Sequence, residues 1–256
     1  MHEQVNSLYR HLVLTAIILI GTAPANLLAA CDDEPAAGVN WAGCDKRGVD
    51  LSGMDLAHAV FTRATLDGAN FTGSRLSDAD LNLSSLKNAI FDGARMVNAR
   101  LIGIKADGAS FKGAILDDAS LSRGILNKAD FTEARLRRAS FYEARLDAAD
   151  FSRANLEGAR LERANMFATR FDNANLSAAK LEAVDAETAS FKKASMPKAV
   201  LDDAVLREVD FSEADLTKAS LRNAIIDDAV FEGAKLSDTI WVQYQRCRST
   251  SVGECR

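Results

Sequence analysis

From Leu51 to Leu236 every fifth residue is a core-type side chain, and 38 consecutive positions keep this register without a slip. They comprise 21 Leu, 11 Phe, three Met (Met96, Met166, Met196), one Ile (Ile226) and two Ala (Ala106, Ala186). Two residues before each centre, 29 of the 38 positions are alanine. A helix of 3.6 residues per turn would smear a five-residue period around its circumference, and a strand alternates every two residues, so neither could bury this pattern on one face. Short fixed periods point instead to a solenoid, in which each unit stacks only on its neighbours.

A second period lies inside the first. Phe71, Phe91, Phe111, Phe131, Phe151, Phe171, Phe191, Phe211 and Phe231 recur at a spacing of twenty, with only Phe61 and Phe141 among the central phenylalanines outside that column. Four units per coil would pile these rings above one another on one of four sides. Leu76, Met96, Leu116, Leu136, Leu156 and Leu176 would line a second side, and Leu81, Leu101, Leu121, Leu161 and Leu181 a third.

Units such as Ala154-Asn155-Leu156-Glu157-Gly158 and Ala214-Asp215-Leu216-Thr217-Lys218 follow the pattern Ala-(Asp/Asn)-Leu-x-x. In them the chain resembles the pentapeptide repeat family, over residues 49–238. The resemblance implies an all-β fold, a right-handed quadrilateral β-helix with the centre and the small residue two before it pointing inward. Thirty-eight units make about 9.5 coils and a rod roughly 45 Å long at the spacing of paired strands. Both shrunken centres fall on the fourth side, and each is matched by a larger residue two places earlier: Ile104 before Ala106, Val184 before Ala186. Volume exchange inside the core accounts for them, because an uncompensated Leu-to-Ala hole costs about 2–5 kcal/mol.

The flanks carry the rest of the information. Residues 31–48 and 239–256 read as caps over open coil ends, which otherwise invite end-to-end association. They hold both tryptophans and all four cysteines, Cys31, Cys44, Cys247 and Cys255. With the ends about 45 Å apart and bridged Cα atoms within about 7 Å, the intrachain pairings left are Cys31–Cys44 and Cys247–Cys255. Residues 1–30 run from a polar start with Arg10 and His11 through an apolar stretch, Leu12 to Ile20, to Ala29-Ala30. That is the pattern of a secretory signal peptide. Ala23-Pro24-Ala25 offers a cleavage site, and Leu28-Ala29-Ala30-Cys31 resembles a lipoprotein box that would make Cys31 a lipid anchor instead of a disulfide partner. Both processing routes predict export, to the periplasm or the exterior, with the membrane touched only through such an anchor.

Chemistry has little room. No insertion interrupts the repeat between Val49 and Leu236, and function usually sits in such loops. The acid pairs Asp117-Asp118, Asp202-Asp203 and Asp227-Asp228, and His58, fall at the last two places of their units, where solvated corners are expected. No phosphate loop, nucleophile elbow or Cys-x-x-Cys metal pair is present, so the expectation is a non-enzyme without cofactor or metal. A net charge of −5 disfavours nucleic-acid binding through a basic surface. Some members of the family imitate duplex DNA and inhibit DNA gyrase. Here basic residues often precede the centre, among them Arg75, Arg95, Arg100, Arg135, Arg145, Arg160 and Arg170, and Lys87, Lys128, Arg145 and Arg207 interrupt the acidic fourth side. The first expectation is therefore an exported structural or binding rod, a protein-interaction scaffold of the bacterial envelope with a partner the sequence leaves unnamed. Topoisomerase inhibition is the alternative. Val200, Val205, Ile225 and Val230 take outward places near the C-terminal end and, with Ile240, Trp241 and Tyr244, suggest a homodimer interface, unless the tail folds back over them.

Overall fold

The structure, a computed structural model, describes residues 30–256. The expected signal segment lies, but for Ala30, outside the described residues. From Asn40 to Ser220, every fifth residue forms a parallel bridge with the residue twenty later, which winds the chain into a four-sided β-helix. Each side is one pentapeptide. Its centre donates upward, as the Leu51 N–H does to the Asn70 carbonyl at 2.7 Å, and the bridging residue donates downward, as the Asn70 N–H does to the Val49 carbonyl at 2.9 Å. The corner closes on itself, with the Ala64 N–H donating to the Phe61 carbonyl at 2.9 Å. From Gly38 to Asp238 the third residue of every corner has φ between 54° and 72°, the left-handed geometry of a type II turn. Most of these residues are not glycine, so ladder and core hold an unfavourable local conformation at most corners.

The interior is filled by side chains. The nine phenylalanines from Phe71 to Phe231 form one continuous stack, with successive centroids 4.6 to 5.1 Å apart and planes within 2–16° of parallel. Phe141, on the opposite wall, meets Phe131 and Phe151 edge-on at 5.6 and 5.5 Å. Rings thus contact through both favourable geometries, faces stacked along the column and edge against face across the interior. Ile104, Ala106, Val184 and Ala186 are all buried, as volume exchange requires. Where serine or threonine replaces the inward alanine, the hydroxyl finds a carbonyl. Ser74 and Ser84 donate to Phe71 and Leu81 at 2.7 and 2.6 Å, and Thr169 and Thr239 to Leu146 and Leu216 at 2.8 and 2.7 Å.

The coils begin earlier than the expected boundary at Val49. Trp41 is a buried centre on the wall of Phe61, with the rings 5.8 Å apart, and Cys44 fills an inward alanine place. Lys46 stands at the next centre and sets its ammonium 4.2 Å from the Trp41 ring centroid. Tryptophan and lysine in place of leucine disguised the register, although the backbone already follows it. The cap proper is Ala30–Gly38, tied down by Ala30 N–H to the Asn40 carbonyl and by the Trp41 indole N–H to Asp33. At the other end Trp241 takes the wall of Trp41 ten coils higher. The tail then reverses and pairs antiparallel, Ile240 with Arg246 and Lys235 with Val252. It occupies the open edge directly: Leu236 N–H donates to Ser251, Cys247 N–H to Thr239 and Gly253 N–H to Ala234.

Candidate interaction surface

Outward residues stand in columns, because each sits one coil from the residue twenty away. Opposite charges alternate along several columns. Glu143 lies between Arg123 and Arg163, at 2.9 and 3.9 Å, and Arg138 grips Asp118 through two contacts of 2.8 and 2.7 Å. Glu133 pairs with Arg153, Asp202 with Arg222, and Lys193 with Glu213. The Arg138 guanidinium holds the Asp118 carboxyl below its ordinary range. Exposed pairs of this kind contribute about 0–1 kcal/mol each, so their main effect is to neutralise the walls.

The residues singled out in the sequence fall as follows. Asp117, Asp118, Asp202, Asp203, Asp227 and Asp228 all lie on corners, and Asp117, Asp118, Asp202 and Asp227 are engaged by arginines. His58 is an exposed corner residue with φ 59°. Among the described residues no group of His, Cys, Asp and Glu has the arrangement to hold a metal ion. Cys31 and Cys44 are disulfide-bonded with Cα atoms 5.6 Å apart, as are Cys247 and Cys255 at 4.8 Å. Cys44 and Cys247 are buried; the first bridge ties the N-terminal flank to the coil interior, and the second closes the C-terminal tail on itself.

At the C-terminal end the tail covers the walls of Leu236 and Trp241. It leaves Ile225 38%, Val230 44%, Tyr244 64% and Val252 57% exposed. Trp241 is half-buried against Phe231, the rings 5.0 Å apart. The reversal therefore lies across the coil end and does not cover the apolar column that ends in Val205 and Ile225.

The fourth wall divides at Met166. Below it each carboxylate has a partner: Asp67 accepts from the Ser85 hydroxyl, Asp107 from the Asn127 amide, and Asp147 lies 3.7 Å from Arg145, although its buried Oδ1 accepts no hydrogen bond. Above it stand Asp185, Glu187, Glu208, Asp227 and Asp228 against one cation, Arg207, which pairs with Asp227 at 3.6 Å. On the same stretch Phe167 is 49% exposed. It is the one phenylalanine of twelve that neither caps nor fills a unit centre within the repeat, and its corner place kept it out of any reading based on the central register.

Comparison with known proteins places the chain. The model for pentapeptide repeats (8 copies) matches overlapping segments that together run from residue 47 to 240. A comparison with curated proteins yields no match. Among solved structures, the chain is similar to HetL, a pentapeptide repeat protein involved in heterocyst differentiation regulation from the cyanobacterium Nostoc sp. strain PCC 7120, at 26% identity and TM-score 0.58, over 82% of this chain and 92% of that one. QnrB1, a plasmid-mediated fluoroquinolone resistance protein, shares the fold at 18% identity and TM-score 0.55, over 72% of this chain and 90% of that one. The unbroken five-residue register, the four-walled coil and the family match together make this chain a member of the pentapeptide repeat family, folded as a right-handed β-helix.

Proposed function

We propose that the protein is an exported, non-catalytic rod of a bacterial envelope that works by binding another protein along its walls. The observation that carries this reading is the uninterrupted coil. Side chains pack the interior from Trp41 to Leu236 and no loop leaves the surface, so recognition has only the walls and the two ends to use. Export is supported by the N-terminal sequence pattern and by cysteines paired within each flank, which suit an oxidising compartment. The Cys31–Cys44 pairing favours a soluble product, since an acylated Cys31 could not form it.

The C-terminal end supports self-association. Ile226, Asp228, Phe231 and Gly233 have N–H groups with no backbone partner among the described residues, beside exposed Ile225 and Val230. Duplex mimicry finds less support, because arginine–carboxylate ladders interrupt the negative potential such mimicry needs.

Intact mass of the protein recovered from the envelope fraction tests the first part, with a chain beginning at Asn26, after Ala23-Pro24-Ala25, and four hydrogens lighter than the reduced form as the expected result. Crosslinking in the intact envelope then asks for a protein partner. Inhibition of DNA supercoiling by the mature protein at stoichiometric concentration would replace this reading with the topoisomerase one. Light scattering across micromolar concentrations decides between dimer and monomer.

A further inference from the structure

We infer that the upper half of the fourth wall, from Phe167 to Asp228, is a docking surface for a cationic amphipathic helix of the partner protein. The inference rests on the binding-rod reading and names the surface and the chemistry of what it binds.

Three observations converge on this stretch. The first is charge. Among the described residues, five carboxylates stand on this stretch with one arginine, whereas the same wall below Met166 sets Asp67, Asp107 and Asp147 among Lys87, Lys105, Lys128 and Arg145. A surface with an excess of like charge attracts the opposite sign, and the attraction guides encounter and orientation.

The second is apolar area within that negative field. Phe167 projects from a corner, and Val205 and Ile225 bridge each other in the adjoining outward column, two residues away along the wall. Isolated apolar residues on a surface need no explanation, but Val205 and Ile225 stacked beside the open C-terminal end, with Phe167 two coils below Val205, do. A purely electrostatic partner such as a polycation would gain nothing from it.

The third is spacing. With about 4.8 Å between coils, Val205 stands about 10 Å and Ile225 about 14 Å above Phe167 along the rod. A helix lying parallel to the rod repeats its apolar face every seven residues, about 10.5 Å, and again after ten, about 15 Å. Three apolar side chains of one helix face can therefore meet Phe167, Val205 and Ile225, while Lys or Arg on its flanks meet Asp185, Glu187, Glu208 and Asp228. The row runs along the axis of the rod, so a helix fits it better than a strand laid across the coils.

The full-length protein is titrated, by fluorescence anisotropy, with three labelled peptides: an amphipathic Leu/Lys helix of about five turns, a scrambled peptide of the same composition, and a Lys/Ser peptide of the same charge. The amphipathic helix is expected to bind at least about tenfold more tightly than either control, and Phe167→Ser or Glu187→Lys to weaken it by about tenfold or more. Leu83→Ser, an exposed apolar corner on another wall, leaves binding unchanged, and matched circular dichroism and melting curves show that the variants are folded. Equal binding of all three peptides, or binding indifferent to Phe167 and Glu187, overturns the inference. So does a dimer that Phe167→Ser converts to monomer, since the occupant would then be a second copy. A partner crosslinked to a different wall sinks the docking surface and leaves the binding rod standing.

Discussion

Ile104 lies directly beneath Gly124, close enough that a Cβ on Gly124 would come 3.3 Å from the Ile104 Cγ1 and 3.0 Å from the Leu121 carbonyl. The enlarged inward residue of one coil thus reaches into space that the next coil vacates, and Ala106 gives up the volume between them. The exchange involves three positions in two coils. Gly124→Ala is expected to destabilise by about 1–3 kcal/mol through overpacking, and Ile104→Ala by about 2–4 kcal/mol through the hole it leaves. The double change Ile104→Ala with Ala106→Leu should recover much of that loss, because it restores the arrangement of the other coils. Chemical denaturation of the set gives the coupling, and strict additivity would refute the exchange.

Thr188 holds a left-handed corner at φ 59°, and its hydroxyl is buried without a partner. A β-branched residue is poorly suited to that geometry. Thr188→Gly should raise stability by about 1 kcal/mol and the melting temperature by about 2–4 °C, net of the backbone entropy glycine adds. A fall in melting temperature would show that packing of the threonine methyl outweighs the strain.

Glu182 stacks one coil above Glu162 and below Asp202. Burial, with Glu162 adding like charge, pushes its carboxyl above the ordinary range. A carboxyl raised in the folded state is ionised there at a cost, so its contribution improves as pH falls through the folded pKa. Glu182→Gln should therefore melt higher than the parent at pH 7, and the two should converge below about pH 4, where the unfolded carboxyl is protonated as well. Asp118, lowered by Arg138, has the opposite sign: Asp118→Asn melts lower at pH 7, and that deficit fades in acid.

The Cys247–Cys255 bridge closes a span of eight residues. Loop-closure entropy for so short a span is about 2–3 kcal/mol. Replacing both cysteines with serine should release the tail without melting the coils, since each coil depends mainly on its neighbours. Hydrogen exchange is expected to accelerate at Leu236, Cys247 and Gly253, whose amides the tail pairs, and to stay slow at Phe131 and Leu136. Uniform acceleration along the rod would mean that the cap sets global stability.

The fold was legible because the core speaks in a period that belongs to no helix or strand, and the spacing of Phe71 to Phe231 counts the walls directly. Trp41 and Lys46 were hidden because tryptophan and lysine break the leucine and phenylalanine pattern by which the centres are recognised, although both hold its register. The left-handed corners were hidden for a different reason: the ladder imposes that geometry on Arg63, Leu83 or Thr188 alike, and side-chain identity at the corner barely reports it. The surface was the least readable. Val205 and Ile225 stood out as apolar residues in polar places, but Phe167 sits at a corner where any residue is tolerated, and only its exposure among unpaired carboxylates singles it out.

The twenty-residue register makes the rod a ruler with quantised marks. Deleting one pentapeptide would turn everything downstream by a quarter of a revolution, carry Phe171 and the rings above it onto a neighbouring face, and split any surface that spans the cut. Removing or adding a whole coil keeps every face aligned and changes the length by one tick. Such a molecule can be shortened or lengthened in evolution or by design only in steps of twenty residues if the pattern along each face is to survive.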